Sequence, residues 1–526
     1  MNARFDIAVI GSGFAGSLIA MIARRLGRSV ALIERGKHPR FAIGESSTPL
    51  ANLLLEELAQ RYDLLALLPL TKWRTWQRAH PEIACGLKRG FTFYHHQFNQ
   101  SFTVDPDRRD QLLVAASPRD EIADTHWYRP DFDAFLVQVA RENGVEYLEE
   151  AKLEKISRSI DGMHLEGSRP GHSLSIRAQF VIDASGPRGF LHRALNLPEV
   201  PFERLPPTEG LYTHFTGARR WEEIFPSQDV PPYAVDDAAM HHVFDGGWIW
   251  VLRFNNGVTS AGVAATTELA KQLRLSEGAA AWRRLLRRLP GVRAQFDQAE
   301  PVLPFVHAPH LSFLSGFVAD QHWALLPSAA GFVDPLLSTG FPLTLLGISR
   351  LAEIIAGSWG AAEFAPRLFD YSLRTTMELV TAEHLVAALY ASLRDFELFA
   401  ALSLLYFAAA SFTETARRLG RPELAGTSFL LGDHAVFGPR FRYCVDQALR
   451  GPAGADRARL LERIRAAIEP VDVAGFAHPA RRNWHPVKAE DLFSARHKLG
   501  VGKPEITQLL ARCGFFQDPV ASESRA

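Results

Sequence analysis

Apolar and polar positions change period several times along the chain, and each change predicts an element. Residues 5–10 (FDIAVI) and 29–34 (SVALIE) are short, nearly continuous apolar runs, the pattern of strands buried on both faces. Residues 14–26 between them carry apolar positions at helical spacing. Strand, helix and strand within about 30 residues make a βαβ unit. Residues 50–68 place Leu and Glu at helical spacing. From 82 to 128 the pattern shortens and turns aromatic, with GFTFYHHQF and THWYR flanking the polar loop DPDRRD, which predicts strands about a long exposed loop. Residues 131–144 predict a helix closed by glycine, VEYLEE a strand after it, and 175–186 (SIRAQFVIDASG) a strand running into a glycine turn. The stretch 205–310 reads as mostly strand, punctuated by proline, and predicts a second sheet. A strand and turn at 322–335 lead into a helix near 341–357. From about 365 onward the chain reads as mainly helical, apart from proline-rich joints near 470–487, and the tail 518–526 is expected to fray.

Charge and composition exclude more than they select. Lys plus Arg and Asp plus Glu number 58 each, for a formal net charge of +0. A balanced chain exerts no long-range attraction on nucleic acid, and no nucleic-acid partner is expected. The 526 residues span roughly three domain lengths, which a large interleaved fold can unite. The 3 cysteines, Cys85, Cys444 and Cys513, have no CxxC spacing and an odd count, which fits a reducing compartment. The N-terminus runs straight into a glycine loop without a basic start or cleavage site, so it is not expected to be a signal peptide, and a cytoplasmic location is expected. The run 398–412 (LFAALSLLYFAAASF) is shorter than the ~20 residues that cross a bilayer. A buried helix is the expected reading, with a monotopic membrane contact as the alternative. The pairs His95–His96 and His241–His242 lack metal-ligand spacing, and no metal is expected.

The strongest local signal is Gly11-Ser12-Gly13-Phe14-Ala15-Gly16. It follows an apolar strand, opens a helix, and is answered by Glu34 at the end of the second strand, the context a dinucleotide fingerprint requires. Gly11 permits the tight turn, Gly13 the approach of a pyrophosphate, and Gly16 the close packing of helix on strand. The free N–H groups and positive dipole end of the helix suit phosphate, and Glu34 can accept hydrogen bonds from ribose hydroxyls. Two further segments favour FAD over NAD. Val181-Ile182-Asp183-Ala184-Ser185-Gly186 resembles the second nucleotide-contact segment of FAD-dependent hydroxylases, and Arg129-Pro130-Asp131-Phe132-Asp133 resembles their Arg-x-x-Phe-Asp. The implied fold is α/β: a glutathione-reductase-type FAD-binding Rossmann fold with an interleaved antiparallel substrate-side sheet and a mainly helical C-terminal region. The expected division is a FAD-binding domain over 1–360, with substrate-sheet segments at about 82–128 and 200–310, and a C-terminal region over 361–526.

Four segments narrow the resemblance. Gly44-Glu45-Ser46-Ser47-Thr48-Pro49 resembles a segment of flavin-dependent halogenases and of geranylgeranyl-reductase-like enzymes in which small residues let the chain pass close to flavin. Gly86-Leu87-Lys88-Arg89-Gly90-Phe91-Thr92-Phe93 resembles the halogenase K-x-G-x-x-F, which carries an active-site lysine. Gly331-Phe332-Val333-Asp334-Pro335-Leu336-Leu337-Ser338-Thr339-Gly340 resembles GF[VI][DE]P-x-x-STG. Ser338 or Thr339 can cap the following helix, and Pro342 fits its first turn. Trp248-Ile249-Trp250-Val251-Leu252-Arg253 is similar to W-x-W-x-I-P, with Arg253 in place of proline, and on a strand Trp248, Trp250 and Leu252 share a face.

These segments follow the order found in the flavin-dependent halogenase family, a branch of the FAD-dependent aromatic hydroxylase superfamily. The resemblance implies catalytic roles for Lys88, Trp248 and Trp250. It implies FAD contacts from Gly11, Gly13, Phe14, Ala15, Gly16, Glu34, Glu45, Ser46, Arg129, Asp183, Gly331, Asp334 and Gly340, and a chloride or bromide site at Ser338, Thr339 and Gly340. It further implies a separate flavin reductase, a flavin hydroperoxide that yields hypohalous acid, and transfer of halogen past Lys88 to an electron-rich aromatic substrate, free or carrier-tethered. Leu337 stands where tryptophan halogenases carry Glu, which turns the expectation from free tryptophan towards a phenol, pyrrole or polyketide-like ring. Pro327-Ser328 replaces a Gly-Asp of many relatives, so looser flavin binding is expected. A FAD-dependent monooxygenase or flavin-dependent reductase on the same fold is the alternative, since GESSTP is shared and Arg253 breaks the tryptophan motif.

Overall fold

The computed structural model describes residues 2–516, so the expectation for 518–526 lies outside the described residues. The two apolar runs form adjacent strands of one parallel sheet. Its order is Glu146–Leu148, Val30–Ile33, Asn2–Ile10, His172–Asp183, Trp323–Leu325, with Ala319–Asp320 antiparallel at the edge. Continuous apolar sequence suits such strands because helices cover the sheet. The helix Phe14–Arg25 is buried from Phe14 through Ala23, held against the helices Arg129–Glu142 and Gly340–Ser358.

A second sheet of nine strands lies beside the first. It runs Glu300–Pro301, Thr208–Thr216, Thr259–Thr266, Gly247–Arg253, Ala239–Phe244, Gly90–His96, Gln111–Ala115, Trp484–His485, with Val306–Ala308 also on Thr208–Thr216. Pairing is antiparallel except where Ala239–Phe244 meets Gly90–His96 and Trp484–His485 meets Gln111–Ala115. Side chains alternate across it: Phe91, Phe93, Trp248, Trp250 and Leu252 enter the main core, while Tyr94, Ile249 and Val251 enter a second cluster behind.

That second cluster corrects one expectation. The stretch 205–310 is not mostly strand, for it contains the helices Thr267–Leu273, Ala279–Arg288 and Pro290–Phe296. In AAAWRRLLRR the buried positions Ala281, Trp282, Leu285 and Leu286 recur at helical spacing, with arginines on the outer side. The C-terminal helices Phe364–Ala391, Phe396–Arg418 and Phe437–Leu449 share the main core with the parallel sheet. The apolar run 398–412 lies within Phe396–Arg418, where Leu398, Phe399, Leu402, Leu405, Tyr406 and Phe412 are buried inside the protein.

Candidate active site

The nucleotide end is set by three glycines, two of which leave no room for a side chain. A Cβ on Gly16 would sit 1.8 Å from the Gly11 carbonyl oxygen, and one on Gly11, whose φ is +95°, would sit 2.8 Å from that of Ala184. Helix, loop and neighbouring strand therefore meet backbone to backbone. Gly13 opens outward. The nearest atoms to a Cβ there belong to Arg129 at 3.2 Å, Asp133 at 3.6 Å and Arg40 at 3.8 Å. Two guanidinium groups beside the start of a helix suit a pyrophosphate, so these residues fit FAD. Arg40 had no signal in the sequence beyond its closeness to Glu34.

Glu34 closes the cradle. Its carboxylate accepts hydrogen bonds from the N–H of Ser12 at 3.1 Å and of Gly36 at 2.9 Å, and pairs with Arg40 at 3.2 Å. Burial alone would raise its carboxyl, but Arg40 and these N–H donors hold it below the ordinary value. Phe14 packs edge-on against Trp127 and Phe341, joining the glycine loop to the helix Gly340–Ser358. Ala15 and Gly16 are buried behind it.

Arg129 ties the cradle to the GESSTP segment. Its guanidinium donates to both carboxylate oxygens of Asp133 and to the carbonyls of Ile43 and Gly44. The segment then zips onto a two-stranded ribbon, Cys85–Lys88 paired with Asp124–Trp127, through Trp127 N–H to Glu45 O and Ser47 Oγ to Thr125 O. Thr48 caps the next helix by accepting from Ala51 N–H, and Pro49 starts it. One carboxylate oxygen of Glu45 meets His214 at 2.7 Å, both residues being fully buried, with rings of Phe41, Tyr128 and Phe254 around the histidine, and the other oxygen has no hydrogen-bond partner. Ser46 faces the lysine.

Lys88 is fully buried. Its ammonium donates to Ser46 Oγ at 2.7 Å and to Ser47 O, and lies 3.9 Å from the centre of the Phe91 ring. Burial lowers its pKa from the ordinary lysine value, and nearby Asp124 opposes that shift. From Phe91 the rings continue to His241, and from His241 to Trp248 at 5.2 Å and Trp250 beyond. Trp248, Trp250 and Leu252 share the core-facing side of their strand, as their alternation implied. Burial also pushes His241 down to about 3, leaving a neutral ring next to the lysine.

Arg253, in place of the motif's proline, pairs with buried Asp236 at 3.1 Å and donates to the carbonyls of Ala218 and Arg219. Asp236 also caps the short helix Trp221–Ile224 by accepting from the N–H groups of Trp221 and Glu222. The arginine thus fastens a loop and leaves the tryptophan strand regular.

Two aspartates read as cofactor contacts face inward. Asp183 spends both oxygens on its own turn, on Ser185 and on the N–H of Leu191. Asp334 accepts from Trp248 Nε1 at 3.2 Å, from Leu336 N–H at 3.0 Å and from the Tyr390 hydroxyl at 2.8 Å, and burial pushes it up to about 7. Gly331 abuts Leu379, whose Cδ1 would lie 2.6 Å from a Cβ there. These residues shape the turn and join it to the helix Phe364–Ala391.

The Ser-Thr-Gly turn departs from the expected cap. Neither Ser338 nor Thr339 caps the helix Gly340–Ser358 through its side chain. Instead Leu337 and Ser338 are left-handed, with φ of 63° and 54°. Successive residues that reverse hand aim backbone N–H groups into one concavity, a geometry that attracts anions. A Cβ on Gly340 would meet nothing within 4 Å, so the mouth of the helix is open.

The comparisons with known proteins agree with one another. Residues 6–331 match the family described as FAD dependent oxidoreductase. The chain is 30% identical over 415 residues to monodechloroaminopyrrolnitrin halogenase PrnC of Pseudomonas fluorescens, covering 76% of this chain and 70% of that one. It is 27% identical over 376 residues to tetracycline 7-halogenase of Kitasatospora aureofaciens, covering 70% and 66%. In fold it is similar to the crystal structure of halogenase PltM in complex with phloroglucinol and FAD, with a TM-score of 0.80 over 91% of this chain and 99% of that chain at 24% identity.

Proposed function

The chain belongs to the FAD-dependent oxidoreductases and, among them, to the flavin-dependent halogenases, and we propose that it installs chloride or bromide on a phenolic, pyrrole or polyketide-like ring using FAD reduced by a separate flavin reductase. The observation that carries the reading is Lys88: a lysine sealed from water, with a lowered pKa, at one end of a chain of rings that reaches the paired tryptophans. FAD, when bound and reduced, would supply with oxygen the oxidising power that turns halide into hypohalous acid. Arg129, Arg40 and the glycine loop would hold its pyrophosphate, and Glu34 its ribose. The reversed turn at Leu337 and Ser338, with Thr339 and Gly340, holds the halide. Trp248 and Trp250 wall the flavin side from the substrate side. Lys88 orients the electrophilic halogen by hydrogen bonding or through its free amine. The relatives named for a pyrrolnitrin precursor and for tetracycline, and the fold neighbour bound to phloroglucinol, support an electron-rich aromatic. Whether the ring arrives free or on a carrier protein belongs to the same proposal, as does a cytoplasmic setting.

The test uses purified protein, FAD, a flavin reductase, NADH, oxygen and bromide, offered a panel of phenols, indoles and pyrroles. Mass spectrometry is expected to show a bromine doublet, reduced at least about a hundredfold in Lys88→Met, with FAD affinity unchanged. A gain of one oxygen, indifferent to bromide and to the substitution, would overturn the reading in favour of a monooxygenase.

A further inference from the structure

The ribbon that carries Lys88 brings a second ionisable group to the same buried face. Lys88 stands directly opposite Asp124, and Gly86 opposite His126. Opposed residues of an antiparallel pair share a face. Lys88, Asp124 and His126 therefore lie on one side of the ribbon, and Leu87 and Thr125 on the other. Gly86 makes the room, since a Cβ there would sit 3.0 Å from the His126 ring and 1.9 Å from the Arg253 carbonyl oxygen.

Asp124 is buried and only half satisfied. Its Oδ1 accepts from Asn52 Nδ2 at 2.7 Å, while Oδ2 is buried without a hydrogen-bond partner. The groups around the pair come from several elements. His126 on the ribbon and His241 on the second sheet face the lysine, and burial keeps both rings neutral. Glu414 and Arg418, from the helix Phe396–Arg418, face the aspartate with opposite signs. The lysine's own contacts, Ser46 and Ser47, are uncharged. Asp124 is thus the one anionic group set across the ribbon from the lysine amine.

We propose that Asp124, held by Asn52, is a positioning residue that sets the charge on the Lys88 amine and so the form in which that amine meets the halogen. The proposal rests on the halogen-handling role of Lys88 given above. In a dry site a carboxylate set across the ribbon favours the charged form of the amine through its field, while the amine's own hydrogen bonds go to Ser46 and Ser47. Without the carboxylate, the ammonium has no counter-charge and gives way to the amine at lower pH.

The experiment compares pH–rate profiles of bromination for the wild type, Asp124→Asn and Asp124→Glu at saturating FAD. Whichever form of Lys88 is active, the limb that reports it is expected to move to lower pH by about one unit or more in Asp124→Asn, and to return towards the wild-type position in Asp124→Glu. An unmoved limb overturns the proposal. A thermal-unfolding cycle of Lys88→Met, Asp124→Asn and the double variant needs no substrate. The double variant is expected to melt above the sum of the two single effects, because each single substitution strands one buried group, and strict additivity overturns the pairing. A Lys88→Met enzyme that still brominates removes the premise. An inactive Lys88→Met beside an unmoved limb removes only the role of Asp124.

Discussion

The glycine cradle and the lysine ribbon open onto one core, yet they are specified in different ways. The cradle is a demand on shape. Its glycines lie close together in the chain, and a single methyl group at Gly16 or Gly11 would strike backbone oxygen. The ribbon chamber is a demand on surroundings. Lys88, Asp124, Asn52, His241 and Glu414 come from five separate segments, and burial pushes Lys88, Asp124 and His241 towards their neutral forms. A shape requirement marks the sequence with glycine at fixed spacing. A requirement for dryness leaves no such mark, because many apolar sequences can supply it.

Substitutions can sharpen or break that contrast. The largest effect is expected from Gly16→Ala, where relief requires helix and strand to part, at about 3 kcal/mol or more. Flavin-fluorescence titration and thermal melting would read it, and a variant binding FAD within about twofold of wild type would erase the distinction. Asp334 tests the opposite rule, control by burial. Its carboxyl is raised to about 7 in the folded protein against about 4 unfolded. Between those values the folded state holds the extra proton, so its contribution to stability is present at the acidic end and is lost as pH rises towards 7. Asp334→Asn is expected to remove a slope worth of the order of 4 kcal/mol across that window, seen as a flatter dependence of urea midpoints on pH.

Arg253→Ala separates fastening from chemistry. Asp236 loses its guanidinium partner, and destabilisation of about 2 kcal/mol is expected, while the folded fraction keeps its bromination rate. A lost rate at unchanged stability would place Arg253 in the chemistry instead. The smallest effect is expected at Ser338, where glycine would relieve a left-handed residue and stabilise the protein by about 1 kcal/mol. A loss of stability in Ser338→Gly would mean that the hydroxyl, and not the backbone turn, holds that segment.

Much of the fold could be read ahead, for reasons tied to particular residues. The apolar runs at 5–10 and 29–34 became neighbouring parallel strands, and Trp248, Trp250 and Leu252 took one face as alternation requires. The helices over 267–296 were misread because prolines and strand-like neighbours outweighed a clear amphipathic period in 279–288. The protein partners of Asp183 and Asp334, Leu191 N–H and the Tyr390 hydroxyl, lie 8 and 56 residues away, outside any local pattern. Tyr390 belongs to the helix Phe364–Ala391, in the mainly helical part of the chain. Asp124 and His126 alternated on a strand in plain view, but only the pairing with Cys85–Lys88 gives that alternation meaning.

The strand Trp484–His485 has a consequence for how the molecule is made. It pairs with Leu113 and Val114, and its indole reaches Gln111 across 373 residues of chain. During synthesis the edge Gln111–Ala115 stays uncovered until residues 484 and 485 have left the ribosome. An open edge is a template for strands of other chains, and late long-range closure slows folding. The yield of native enzyme should therefore depend on translation speed and on chaperones that shield this edge, and chains cut short of residue 484 should aggregate even though every residue of the cradle and the ribbon is already present.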